Sequence, residues 1–319
     1  MTDYQVRRSY QGKILVAPPG AEPITGEWKR AKNGKNYFYT PRKDVQQYGR
    51  ASKAGEHLKG GSGLADFKAA FAAMGTVMSK SVRSRIVTLI NEYDGDPYYK
   101  GRDGGSEPGK DRLMAAVEDA CEIAGANNAS EMGTEFHKYW EMRNRGEKPL
   151  IVQDHLAGPL ETYCAATEPI RFLDSEVLII NDELKKAGSF DHFMEIPKGA
   201  IGPDGKPLDE PWLVVGDGKT GKWDVKYPAG VYAQLASYAL GCRYDQDKNE
   251  RLPIHPDLNT DWGVLIHFPL SEDKPEVGLY WINLAIGREA AILNNRIDAM
   301  QKYFASKEGK PIEFELRAS

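Results

Sequence analysis

An aspartate and a lysine two positions apart, Asp217 and Lys219, close an apolar run that begins at Trp212. Side chains alternate along a strand, so residues two apart share a face. If the strand continues through Gly218, the carboxylate and the ammonium point the same way. A second strand-like run, Gly188–Ile196, carries Asp191. Two carboxylates on adjacent strands can hold a hard divalent cation such as magnesium, which prefers oxygen ligands and keeps several waters. A lysine beside the metal can orient or deprotonate an attacking water and offset developing negative charge. Metal and lysine together suit in-line attack of water on a phosphodiester. The competing reading, an exposed turn pair, fits poorly with the buried-looking LVV run that precedes Asp217. The tripeptide Gly218–Thr220 looks like the end of a phosphate-binding loop, but Leu213 stands where that motif needs its first glycine.

The elements that must position these residues follow from pattern. A helix after Lys219 can start at Pro228 and end at Gly241. Val231, Gln234, Leu235 and Tyr238 share one of its faces, with Gln234 the odd polar member. The Gly- and Pro-rich segment between the two aspartate runs reads as a surface hairpin. Upstream, residues 64–93 read as one amphipathic helix with Gly75 a candidate break. Residues 111–126 read as a second, and a third runs from a candidate N-cap at Ser130 to Gly146, carrying His137. Residues 155–170 look helical, and Ser175–Asn181 reads as a strand. Two more strands, in DWGVLIHFPL and VGLYWINL, precede a closing amphipathic helix. Mixed strands and helices make the chain α/β.

At 319 residues, 41% hydrophobic and 10% aromatic, the chain fits one large or two modest globular domains. No apolar run approaches the roughly 20 residues of a membrane helix, so no membrane partner is expected. The N-terminal residues lack the apolar core of a signal peptide. The three scattered cysteines, Cys121, Cys164 and Cys242, offer no disulfide framework, and a cytoplasmic location is expected. Residues 1–100 hold 17 Lys and Arg against 9 Asp and Glu. That basic excess could contact phosphates or be ordinary surface charge. Within it, Lys29, Arg30, Lys32 and Lys35 interleave with Trp28, Tyr37, Phe38 and Tyr39. This pattern grips nucleic acid by charge and stacking, or else forms a small hairpin with its turn at residues 32–36.

Four pieces occur in order: Gly133 and His137 on a helix, Gly188 and Asp191 on a strand, Asp217, Lys219, Thr220 and Gly221 on a strand, and Gln234 and Tyr238 on a helix. This series resembles the RecB-like branch of the PD-(D/E)XK nuclease superfamily, which includes phage-encoded and CRISPR-associated exonucleases. The resemblance covers roughly residues 130–300. It implies a restriction-endonuclease-like core, a central mixed β-sheet flanked by helices. It implies that His137, Asp191 and Asp217 bind magnesium, or manganese in its place, with the Gly218 carbonyl assisting, and that Lys219 is the catalytic lysine. Gln234 and Tyr238 would orient the site or contact the DNA strand. The chain departs from the cluster-binding members, which use four cysteines, so no iron–sulfur cluster is expected. The resulting division is a basic, mainly helical region at 1–125, walling or covering the site, and a nuclease core at 126–319.

The leading expectation is a metal-dependent DNA exonuclease of phage or bacterial recombination, replication or repair. DNA would be its partner, together with a recombination or single-strand-binding protein. A structure-specific endonuclease of the same fold, and a non-catalytic DNA-binding factor on a nuclease fold, are the alternatives. The oligomeric state is open.

Overall fold

The computed structural model describes residues 6–31, 36–43, 45–58, 63–102, 109–221, 228–272, 275–306 and 308–311. The protein is α/β, with two mixed sheets and a separate hairpin among these residues. The first sheet has six strands. In spatial order they are β1 (Ile14–Val16), β4 (Gln46–Arg50), β7 (Lys186–Phe190), β6 (Val177–Asn181), β10 (Cys242–Asp245) and β11 (Glu250–Leu252). The second has five: β13 (Gly278–Asn283), β12 (Trp262–His267), β9 (Trp212–Lys219), β8 (His192–Ile196) and β5 (Arg171–Asp174). The hairpin pairs β2 (Gly26–Arg30) with β3 (Tyr37–Pro41), which realises the structural reading of the basic aromatic stretch.

The expected single central sheet is therefore two. The apolar run Gly188–Ile196 is not one strand: it breaks at Asp191, with β7 in the six-stranded sheet and β8 in the five-stranded one. A locally continuous β pattern does not reveal such a switch, because both halves are individually good strands.

The division at residue 125 also differs. Residues 1–59 and 136–319 form one compact unit, and residues 60–135 form another. The first 59 residues are β-rich rather than helical, and β4 runs parallel to β7, with Arg50 opposite Ala187. Three-residue β1 and the polar QQYGR of β4 carry too little alternation to announce strands, and their partner lies far along the chain.

The first unit holds α5 (Asp154–Thr167), with Leu156, Leu160 and Tyr163 buried, and α6 (Ala229–Ala239), which is buried along almost its whole length. Val215, Leu235, Leu265 and Leu284 meet around it with no exposure. Each such side chain contributes about 1.5–3 kcal/mol by leaving water. The long helix α7 (Leu284–Ala305) packs against α6 at Gly287, where a Cβ would stand 2.2 Å from the Tyr232 carbonyl oxygen.

The second unit holds α1 (Gly63–Met78), α2 (Lys80–Glu92), α3 (Gly109–Ile123) and the start of α4 (Asn128–Asn144). The break expected at Gly75 falls instead at Ser79, which leaves the helical region and accepts a capping hydrogen bond from Val82 N at 3.3 Å. Gly75 stays inside α1 because α3 approaches there: a Cβ would lie 1.8 Å from the Ala120 carbonyl oxygen. Likewise Ser130 lies within α4 rather than capping it. Among the described residues no helix is long and apolar enough to cross a membrane.

Candidate active site

The β9 strand extends through Gly218 to Lys219, so Asp217 and Lys219 share a face. Lys219 Nζ forms an ion pair with Asp217 Oδ2. Asp217 is 1% exposed, which removes the reading of a solvated turn pair. Antiparallel pairing of β8 with β9 sets His192 opposite Gly216. One step further along this register, at the switch between the sheets, Asp191 stands across from Asp217. Its Oδ2 accepts a hydrogen bond from Gly218 N at 2.7 Å.

Two helices fix the strand end from opposite faces. On the Asp217 face, Gln234 of α6 donates through Nε2 to Asp217 Oδ1 at 2.7 Å and to the Tyr238 hydroxyl at 3.3 Å. The polar intruder in the apolar stripe thus satisfies a buried carboxylate. Gly188 leaves room for Tyr238, whose hydroxyl would lie 3.2 Å from a Cβ there. Gln234 and Tyr238 are 7% and 4% exposed. Burial suits them to orienting Asp217 and not to the direct DNA contact that the resemblance also offered. On the other face, Trp140 of α4 occupies the place of a Gly218 side chain, whose Cβ would meet the ring at 2.2 Å. One helical turn before Trp140, His137 packs its ring 4.1 Å from the indole.

Electrostatics follow from this enclosure. Burial pushes Asp217 up to about 6, the neighbouring Asp191 adds to the rise, and Lys219 opposes it. Burial also raises Asp191, against Lys219 and the Gly218 N–H. Burial would lower Lys219, but the two carboxylates outweigh it and hold the ammonium protonated. His137 falls to about 4 through burial and the nearby Lys219 charge, so its imidazole is neutral at neutral pH and able to ligate.

Trp140 and two more residues of this neighbourhood, Glu176 and His192, were not singled out from sequence. Glu176 has a left-handed backbone, φ 55°, and donates its N–H to the Phe190 carbonyl at 3.0 Å. Although the residue is partly open to solvent, desolvation of its carboxyl and the charges of Asp191, Glu141 and Asp217 push it up to about 7. It reads locally as the polar start of a strand. His192 is fully buried and lowered to about 3, chiefly by burial. Its position next to Asp191 was the available signal.

The remaining expected residues lie elsewhere. Lys29 and Arg30 are exposed on β2, while Lys32 and Lys35 fall outside the described residues. Of the aromatics between them, Tyr39 is buried, whereas Trp28 and Tyr37 are open to solvent. Cys121, Cys164 and Cys242 are free thiols.

Among the described residues no group of three or more His, Cys, Asp or Glu side chains gathers closely enough to hold a metal ion alone. The donor types still fit magnesium, which needs only one or two carboxylates and fills its octahedron with water. The chain matches no family model and no curated protein.

Proposed function

We propose that this protein is a divalent-metal-dependent deoxyribonuclease, an exonuclease of the RecB-like PD-(D/E)XK branch that acts in phage or bacterial DNA recombination, replication or repair. The observation that carries the reading is the buried cluster at the end of β9: Asp191 and Asp217 share Lys219, beside a neutral His137. The mixed sheet with β9 inside it, α4 on one face and α6 on the other, supports a restriction-endonuclease-like core.

Asp191 and Asp217 would hold magnesium or manganese, with His137 and the Gly218 carbonyl as further donors. The ion, when bound, supplies an acidified water and Lewis acidity at the phosphate. Gln234 fixes the Asp217 carboxylate through Oδ1 and leaves Oδ2 directed at Lys219. Because the two carboxylates keep Lys219 protonated, its role is to orient the water and offset charge on the scissile phosphate rather than to remove a proton. Trp140 and α4 exclude water from one side of the strand end.

Digestion of end-labelled linear duplex and single-stranded DNA tests the reading. With magnesium, linear DNA is expected to shorten progressively from an end while covalently closed circles survive. Nicking of closed circles would favour the endonuclease, and cleavage in excess chelator would overturn the metal-dependent mechanism.

A further inference from the structure

A cavity of about 760 Å³ opens beside the β2–β3 hairpin. Its wall includes Arg8, Arg50, Tyr10, Trp28, Tyr37 and Phe38, and no acidic side chain is among the described lining residues. Three of the aromatics are unusually open to water: Tyr10 at 66%, Tyr37 at 57% and Trp28 at 41% exposure. Tyr10 and Phe38 brace each other edge to face at 5.2 Å, and Trp28 packs its edge against Tyr39 at 5.2 Å. The rings of Tyr10, Phe38 and Trp28 are therefore braced, and Tyr10, Trp28 and Tyr37 keep much of their surface open to a stacking partner. The N-terminal segment is tied to the hairpin by the Tyr39 N–H, which donates to the Arg8 carbonyl at 2.8 Å.

We propose that this cavity captures an unpaired nucleotide of a DNA strand, stacking its base on Tyr37 and Trp28 and holding its phosphate between Arg8 and Arg50. The proposal rests on the nuclease reading above for the identity of the strand. Four features carry it. Aromatic faces stack any base, and the volume lies within the range of about 300–1,000 Å³ that takes one small ligand. Guanidinium groups bind phosphate in a bidentate fork. Arg8 is lowered by burial and then by the like charge of Arg50, and an anion seated beside it relieves both.

Position supplies the fourth. The strands β4 and β7 run parallel, Arg50 closes β4 opposite Ala187, and β7 ends just before Asp191. Next to Arg50, the Ala51 methyl packs toward Gly188, where Tyr238 also approaches. The cavity thus flanks the strand ends that carry the carboxylates, as a site for the strand being cut requires. Inside a duplex each base has both faces covered and its pairing edge occupied, so a single base entering the cavity has to be unpaired.

The test is equilibrium binding by the full chain in excess chelator, which suppresses cleavage. The probes are a short oligothymidylate, its oligouridylate counterpart and a hairpin-capped blunt duplex. Tyr37→Ala and Arg50→Gln, both at exposed positions, are each expected to weaken oligothymidylate binding by about tenfold or more, with duplex binding unchanged. Tyr37→Phe should retain the affinity, because the ring is kept. Oligothymidylate should quench tryptophan fluorescence in the parent chain, and Trp28→Phe should abolish that quench while still binding. Parent-like oligothymidylate affinity in both Tyr37→Ala and Arg50→Gln would overturn the proposal. So would equal weakening toward the duplex, or tighter binding of oligouridylate. The same preparations assayed with magnesium keep the two ideas apart. Loss of binding in these variants without any cleavage by the parent sinks the nuclease reading alone. Cleavage by the parent with unaltered binding in the variants sinks the cavity alone.

Discussion

Lys219 answers a problem that Asp191 and Asp217 create for each other. Two carboxylates enclosed together lose hydration and repel, and both are raised by burial. A single ammonium offsets the pair in the metal-free protein. Removing it in Lys219→Ala leaves an uncompensated buried charge. Breaking a buried pair costs about 3–5 kcal/mol, and the low end applies here because the lysine side chain is 36% exposed. Urea unfolding in chelator should show this loss, and adding magnesium should recover part of it by mass action. Equal midpoints for Lys219→Ala and the parent in chelator would show that the ammonium is not the compensating charge. At this scale the sequence was informative, since a strand's two-residue period joins Asp217 to Lys219 directly. Glu176 escaped notice because its environment is made by Asp191, Glu141 and Asp217, none of them adjacent in the chain.

Elements explain why the site has glycines where it does. Gly218 is the point at which α4 meets β9, and the Trp140 ring fills the volume of its absent side chain. Gly218→Ala should cost about 1–3 kcal/mol by overpacking, measured by chemical denaturation, and Trp140→Leu in the same chain should return some of it. A neutral Gly218→Ala would mean that α4 does not rest on the strand.

The six-stranded sheet has its own clasp. Asp182 accepts from the Tyr48 hydroxyl of β4 and from Arg251 Nε of β11 at 3.0 Å. Burial pushes Asp182 up, but its hydrogen bonds with Arg251 and Tyr48 outweigh that and hold it below its ordinary 3.8. A carboxylate depressed on folding adds stability above its unfolded value, and that contribution fades as pH falls through the folded one. The penalty of Asp182→Asn should therefore be full at neutral pH and shrink below pH 3.8; a penalty independent of pH would contradict the clasp. None of these long-range pairings was legible beforehand. The switch at Asp191 hides within one continuous strand pattern, and β1 and β4 are too short and irregular to be recognised without their distant partners.

Over the whole chain the net charge of −4 conceals a basic first third. Lys29 and Arg30 lie exposed on the hairpin whose aromatic neighbours line the cavity. If they meet phosphates, each releases counterions on binding. Lys29→Gln with Arg30→Gln should weaken DNA binding and flatten the slope of log affinity against log salt by about one per lost contact. An unchanged slope would return both residues to solvated surface. Composition and pattern were enough to frame an α/β chain, and the order of the motif pieces was enough to raise the proposal of an enzyme acting on DNA. They did not reveal that the first 59 residues are woven into the unit that carries the carboxylates, because that requires a parallel pairing between β4 and β7 across a long stretch of sequence.

The most direct measurement is single-turnover cleavage of end-labelled DNA by the parent, Asp217→Asn and Lys219→Ala, each first shown to be folded in magnesium. A hydrolytic centre built on these residues predicts magnesium-dependent cleavage by the parent and a loss of about 100- to 1,000-fold or more in each variant, the scale for removing one preorganised electrostatic group. Parent-like cleavage by either folded variant would place the chemistry somewhere other than the end of β9.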